Sequence, residues 1–217
     1  SLVGSEMCIR DRILTIDSKL QAVTEQALAD NINKIANHGF SQEDNPADAG
    51  AAVVLNVKTG EVIAMASYPD YDPSAFVNGI DTNTWNYYIN GDTKPLENKA
   101  ISAMYSPGST YKMVTALAGL ETGTITPKTK INDTGVFRKY NSSWKCWNRH
   151  GHGYLNVTQA LQHSCNYFFY EAGDRMGIDA IARYALHFGL GKLTGIELPS
   201  EKTGTCLLYT SPSPRDC

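Results

Sequence analysis

No stretch of about 20 apolar residues occurs in the 217-residue sequence, so nothing in it reads as a membrane-spanning helix. No leader of the secretory kind opens it. Charge of one sign is also lacking: 19 Lys and Arg stand against 22 Asp and Glu, a net charge of −3, which gives no electrostatic case for nucleic acid as a partner. Cysteine is scarce. Of the five cysteines, Cys8, Cys206 and Cys217 lie in the two ends, residues 1–12 and 206–217. Those ends lack hydrophobic periodicity, carry as many acids as bases, and resemble translated sequencing-adapter sequence, so they are read as foreign tails around one partial domain over residues 13–205. Cys146 and Cys165 alone remain inside, too few for a disulfide scaffold. What is present is apolar material, 42% of the chain, enough for a globular core.

Residues 13–21, ILTIDSKLQ, predict a short strand running into a helix, capped by Asp17 or by Ser18 with Gln21 completing a capping box. Leu20, Val23, Ala27, Leu28, Ile32 and Ile35 keep helical spacing to about Ala36. After a polar loop at 41–50, residues 51–69 hold two β-branched runs around Thr59-Gly60, the pattern of a hairpin. The stretch 68–100 reads as a long irregular connection with one short helix near Asn83–Asn90, and long loops inside domains are often functional. Beyond residue 126 a polar, Gly-rich segment with short strands gives way to three helices, near 155–164, 166–177 and 178–191, and then to an extended stretch at 194–201.

The densest chemistry lies in MYSPGSTYKMVTALAGLETG, residues 104–123. Pro107 and Gly108 break the preceding structure, Ser109 opens a run with Met113, Ala116, Leu117 and Leu120 on one helical face, and Gly123 stops it. Ser109 and Lys112 are three residues apart, hence on one face. A serine hydroxyl is a weak nucleophile until a neighbour takes its proton, and a lysine can do so when burial lowers its pKa. A bare Ser-x-x-Lys is more often an N-cap beside a solvated lysine; the context PGSTYK with an apolar helix behind it points to catalysis. This segment resembles the nucleophile motif of the penicillin-binding transpeptidases, and class A β-lactamases share the same Ser-x-x-Lys, Ser-x-Asn and Lys-Thr-Gly set. Ser164-Cys165-Asn166, between two helices in ALQHSCNYFFYEAG, resembles the family's second motif. By itself Ser-x-Asn is usually a helix cap; in the family context Ser164 relays a proton and Asn166 positions the substrate.

Lys-Thr-Gly occurs twice, and neither copy is taken as the family's third motif. Lys58-Thr59-Gly60 lies in a hairpin turn ahead of the serine. Lys202-Thr203-Gly204 has no strand pattern around it, and TGIELPSEKTG matches a loop that the family carries before its third-motif strand. The resemblance therefore covers roughly the first two-thirds of a transpeptidase domain, without the C-terminal strands, half the oxyanion hole and the carboxylate-binding residues.

Asp133, Cys146, His152 and Cys165 combine the donor types that hold zinc. His152 lies between Gly151 and Gly153, and His150 is an alternative to it. Taken as residues alone, the two cysteines could equally be ordinary free thiols. GHGYLNVTQALQHSCNYFFY resembles elongation-type class B penicillin-binding proteins, some of which carry a structural zinc on this segment, so the resemblance implies a zinc on these four residues and none required for catalysis.

The resemblance also implies an α/β (α+β) fold, an antiparallel sheet flanked by helices, here incomplete. It implies D-Ala-D-Ala transpeptidation of peptidoglycan stem peptides through a serine acyl-enzyme, with acylation by β-lactams, a cell-wall elongation machinery as partner, and a place on the extracytoplasmic face of the membrane with the anchor outside this chain. Ser109 would be the nucleophile, Lys112 its base, and the Ser109 N–H half of the oxyanion hole. Two other readings are a serine β-lactamase, disfavoured by the lack of a Glu-x-x-Leu-Asn segment after Ser164, and a β-lactam sensor that stays acylated, disfavoured by the elongation-type matches.

Overall fold

The computed structural model describes residues 13–39 and 47–204; the expected tails at 1–12 and 206–217 lie outside the described residues. The chain divides into two compact units, residues 1–103 and 104–217.

In the first unit α1 (Ser18–Ala36) starts at Asp17, whose carboxylate accepts from the backbone N–H groups of Lys19 and Leu20 at 2.9 Å each. That satisfies two of the otherwise orphaned donors of the first turn. The expected capping box does not form, because Gln21 has another partner. Its amide donates to the Met65 carbonyl (2.7 Å) and accepts from the Met65 N–H (2.8 Å), docking α1 on the adjacent strand as a strand neighbour would. The expected strand before α1 is irregular backbone instead, tied by Asp17 N–H to the Ile63 carbonyl at 2.9 Å. β1 (Gly50–Leu55) and β2 (Val62–Tyr68) form the antiparallel hairpin that the alternation predicts, joined through a turn at 56–61. Ala64 and Ala66 of β2 are buried, whereas Val53 and Leu55 of β1 are exposed.

The connection that follows contains α2 (Thr82–Asn90), capped by Asp81, and α3 (Lys99–Ser102), capped by Asn98. Lys99 is buried; its ammonium donates to the carbonyls of Lys94 (2.9 Å) and Pro69 (3.2 Å), cross-tying a loop that has little core of its own.

In the second unit a 3₁₀ turn at Gly108–Tyr111 leads into α4 (Lys112–Glu121). The buried face of α4 is the expected one only in part: Ala116 is buried and Leu120 packs against the core. Met113 and Leu117 are exposed, and Val114, Thr115, Ala116, Ala118 and Gly119 are buried. Small residues win this face because neighbours come close: a Cβ at Gly119 would lie 2.9 Å from Ile125 Cγ1. Short strands β3 (Ile131–Asp133), β4 (Val136–Lys139), β5 (Ser142–Lys145) and β6 (Gly153–Leu155) pair as β3–β6 and β4–β5. Then come α5 (Val157–Gln162), α6 (Asn166–Met176) and α7 (Ile178–His187). Ala116, Ile125, Ile131, Leu155, Val157, Ala160, Phe168 and Ala172 form the core beneath them, with Cys146 and Cys165. Hairpin β4–β5 is fastened to α6 by Phe137 and Trp144 against Tyr170, and by Asp174, which pairs with Lys139 and accepts from the Tyr140 hydroxyl at 2.8 Å. Residues 193–196 are irregular, closed by Glu201 accepting from the Thr194 N–H and hydroxyl at 2.7 Å each, and Lys202–Gly204 lie outside any strand.

Candidate active site

Two segments of the second unit build the site. Ser109 is exposed in the 3₁₀ turn, and Lys112 begins α4. The i, i+3 spacing brings their side chains together, with Lys112 Nζ 3.1 Å from Ser109 Oγ. The second segment is the junction of α5 and α6. There Ser164 N–H bonds to the Leu161 carbonyl (3.1 Å) and Cys165 N–H to the Ala160 carbonyl (2.9 Å). This is the Schellman pattern that ends many helices, and its left-handed position is usually glycine. Ser164 fills it with φ +48°, a conformation costing a side-chain-bearing residue about 1 kcal/mol. Cys165 then caps α6 by accepting from the Phe168 N–H at 3.4 Å, which makes Asn166 the first residue of the helix.

Lys112 joins the two segments. Its Nζ donates to Ser164 O (2.8 Å), Ser164 Oγ (3.0 Å) and Asn166 Oδ1 (2.6 Å) as well as to Ser109. Ser164 Oγ donates in turn to Ser109 Oγ at 2.9 Å. Burial pushes the Lys112 amine below the ordinary lysine range, with the sulfurs of Cys165 and Cys146 acting in the opposite sense. The Phe169 ring lies 6.0 Å from Nζ. Such an arrangement can move a proton among two hydroxyls and an amine while a hydroxyl attacks an electrophile.

Asp133, Cys146, His152 and Cys165 also come together: one ligand atom from each lies within 4.8 Å of all the others. Asp133 Oδ2 is 2.6 Å from His152 Nδ1 and 3.3 Å from Cys165 Sγ, and Cys146 Sγ is 3.7 Å from His152 Nδ1. Hydrogen bonds from the Gly135 N–H, His152 and the thiols hold the Asp133 carboxyl below its usual range, although burial alone would raise it. Burial also pushes the Cys165 thiol up to about 12. Zinc with bonds of about 2.0–2.3 Å places its donors roughly 3.5 Å apart, close to the Asp133–Cys165 and Cys146–His152 spacings, while the Asp133–His152 pair is at hydrogen-bond distance; His152 Nε2 is buried without a hydrogen-bond partner among the described residues. The donor set and its convergence fit a zinc ion. His150 is exposed and outside the cluster. Backbone contact sets the loop: a Cβ at Gly135 would lie 2.2 Å from the Arg149 carbonyl oxygen, and one at Gly151 2.2 Å from that of Asp133.

The family model of the penicillin binding protein transpeptidase domain matches residues 50–210. The chain belongs to the penicillin-binding protein transpeptidase family. It is 35% identical over 204 residues to peptidoglycan D,D-transpeptidase MrdA of Acinetobacter baumannii, covering 93% of this chain and 27% of that protein. Among solved structures it is similar to Pseudomonas aeruginosa PBP2 in complex with WCK 5153, with 33% identity and a TM-score of 0.75 over 89% of this chain and 40% of that one. It is also similar to Helicobacter pylori PBP2 in its complex with MreC, with 28% identity and a TM-score of 0.72 over 88% of this chain and 33% of that one. The chain thus spans little over a quarter of the length of its MrdA relative. The fold is the family's transpeptidase fold, and its described part comprises the antiparallel pairs β1–β2, β3–β6 and β4–β5 with the helices of each unit.

The eight site residues read from the sequence fall into two constellations, one of four around Lys112 Nζ and one of four around Asp133. Sequence reasoning missed the carbonyl of Ser164 as a partner of Lys112 and the left-handed backbone that presents it. A main-chain acceptor has no residue signature, and a serine at a position usually held by glycine does not announce its φ.

Proposed function

We propose that this chain is part of a peptidoglycan D,D-transpeptidase that works through a serine acyl-enzyme. Ser109 is the nucleophile. Lys112, neutral for part of the time because it is buried, takes the Ser109 proton as Oγ attacks the carbonyl between the two D-alanines of a stem peptide. The Ser109 N–H supplies half of the oxyanion hole. Ser164, bonded to both Ser109 and Lys112, carries the proton on to the departing D-alanine amine. Asn166 has its Oδ1 bonded to Lys112, which leaves its N–H donors for a substrate carbonyl. An acceptor amine then takes the acyl group, and a β-lactam is attacked by the same hydroxyl at its ring carbonyl. The observation carrying this reading is the contact of one amine with Ser109, Ser164 and Asn166.

Asp133, Cys146, His152 and Cys165 hold a zinc ion in this proposal. All four positions of a tetrahedral site are protein donors, so the ion is structural and pins residues 133–152 to the junction that carries Ser164 and Asn166. In this proposal the protein works in the cell-wall elongation machinery, on the extracytoplasmic side of a membrane that anchors it, a reading supported by the likeness to a peptidoglycan D,D-transpeptidase and to a PBP2 in complex with MreC. Among the described residues no helix is long and apolar enough to cross a membrane.

The test is covalent labelling by a fluorescent penicillin in a chain extended to the full transpeptidase domain. Label on Ser109 that is lost in Ser109→Ala is expected; undiminished labelling of Ser109→Ala would overturn the assignment.

A further inference from the structure

Cys146 and Cys165 are both free and fully buried, and their sulfurs share one small space, no more than 4.8 Å apart. They come from different elements. Cys146 follows β5 at the start of a turn-rich loop that runs to His152, and Cys165 is the cap between α5 and α6. Asp133 and His152 face them both, so the two sulfurs are neighbours whether or not a metal lies between them.

We propose that Cys146 and Cys165 form an intramolecular disulfide when no metal is bound, so that these residues exist either as a metal-held dithiolate or as a covalent pair. The metal half of this statement rests on the zinc reading above; the disulfide half does not. A disulfide requires a sulfur separation of about 2.05 Å. The movement falls to Cys146, because its loop contains no helix or strand before β6, whereas Cys165 is held by helices on both sides. A thiol with a second thiol at this range ends oxidation as a disulfide, ahead of the irreversible acids.

The oxidant is a small-molecule disulfide such as oxidised glutathione. The thiolate of Cys146 attacks one of its sulfurs, a mixed disulfide forms and the first small thiolate leaves. Cys165 then attacks the Cys146 sulfur and expels the second. Two protein thiols are oxidised, one small disulfide is reduced to two thiols, and the two protons pass to the leaving thiolates. The effect reaches the proposed catalytic residues directly. Cys165 Sγ loses the hydrogen it donates to Asp133, and the residues on either side of it are Ser164 and Asn166, which hold Lys112.

The experiment uses this chain with Cys8→Ser, Cys206→Ser and Cys217→Ser, so that only the pair remains. One portion is stripped with a chelator and one is loaded with zinc; both are treated with oxidised glutathione and mapped by mass spectrometry without reduction. The stripped protein should lose two hydrogens and yield a linked peptide pair containing Cys146 and Cys165, while the zinc-loaded protein stays reduced over the same interval. In Cys165→Ser, which lacks the resolving thiol, Cys146 should accumulate only as the glutathione adduct. Stable glutathione adducts on either cysteine of the stripped pair without a link, or thiols unchanged after exposure, would overturn the proposal. Equal linking with zinc present would overturn the either-or relation. Zinc content is measured separately on the reduced protein: linking without any zinc uptake upholds the disulfide and removes the zinc reading.

Discussion

Lys112 Nζ lies 2.8 Å from the main-chain oxygen of Ser164 and 3.0 Å from the hydroxyl of the same residue. One residue therefore offers the amine two acceptors, one of which no side-chain substitution can remove. The Lys112 side chain is thus held at the α5–α6 junction even when the hydroxyl is deleted, and the two roles of Ser164, anchoring and proton transfer, can be separated.

In a chain extended to the full domain, Ser164→Ala should keep the Lys112 position and lose most of the acylation rate, by about 10²–10⁴-fold if the hydroxyl relays the proton. Lys112→Ala should nearly abolish acylation, because Ser109 loses its base. Stopped-flow labelling with a fluorescent penicillin reads both; a Ser164→Ala protein acylating at the original rate would remove the relay from the scheme.

The backbone of Ser164 gives a separate expectation. Ser164→Gly and Ser164→Ala both lack the hydroxyl, but only alanine retains a Cβ at φ +48°. Ser164→Gly should therefore be the more stable of the two by about 1 kcal/mol, as read by urea unfolding of this chain. An alanine variant as stable as the glycine variant would show that the left-handed conformation carries no strain.

Burial lowers the pKa of Lys112 in the fold. Below the folded value both states are protonated, and the penalty of the buried charge is fully present and independent of pH. Between the lowered folded value and the ordinary lysine value the unfolded state binds more protons, so stability should rise with pH across that window. The same shift predicts that acylation speeds up as pH rises through the folded value. Replacing Lys112 by methionine should flatten the corresponding part of the stability profile, and an unchanged slope would assign that slope to other groups.

Adding a chelator should lower the unfolding temperature of the purified chain, and Cys165→Ser should reduce bound zinc while leaving Ser109 in place. Metal analysis by mass spectrometry checks the first requirement: a zinc content far below one per chain would remove the zinc reading of Asp133, Cys146, His152 and Cys165.

Gly119→Ala tests the packing of α4. The added Cβ would meet Ile125, itself fully buried, at 2.9 Å, and overpacking of this kind costs about 1–3 kcal/mol. Denaturant unfolding should show the loss, and Ile125→Val should recover part of it.

Much of this was legible in the sequence because chemistry and punctuation coincide. Pro107-Gly108 ahead of Ser109, the i, i+3 lysine, and Ser164-x-Asn166 between two helical runs are local signals, and the β1–β2 hairpin and α5, α6 and α7 follow from periodicity. The misses come from tertiary competition. Gln21 is a sound capping-box residue, but Met65 offers it two backbone partners. Met113 and Leu117 are among the more apolar residues of α4 and are exposed, while Ala116, Ala118 and Gly119 are buried with Val114. The strand expected at residues 13–17 has the right composition and no ladder to join. The convergence of Asp133 with Cys146, His152 and Cys165 depends on the pairing of β3 with β6, which neither short segment specifies by itself.

The close backbone contacts at Gly135 and Gly151 have a consequence for how this region can vary. Neither residue contributes a side chain to the cluster, yet a single methyl group on either would press into a carbonyl, at Gly151 that of Asp133 itself. The distance between the carboxylate and the imidazole is therefore ruled by two positions with no side chain at all. A survey of tolerated substitutions across residues 133–152 should find these two glycines as unforgiving as the four donors, and should find the neighbouring, chemically richer Arg149 and His150 free to change.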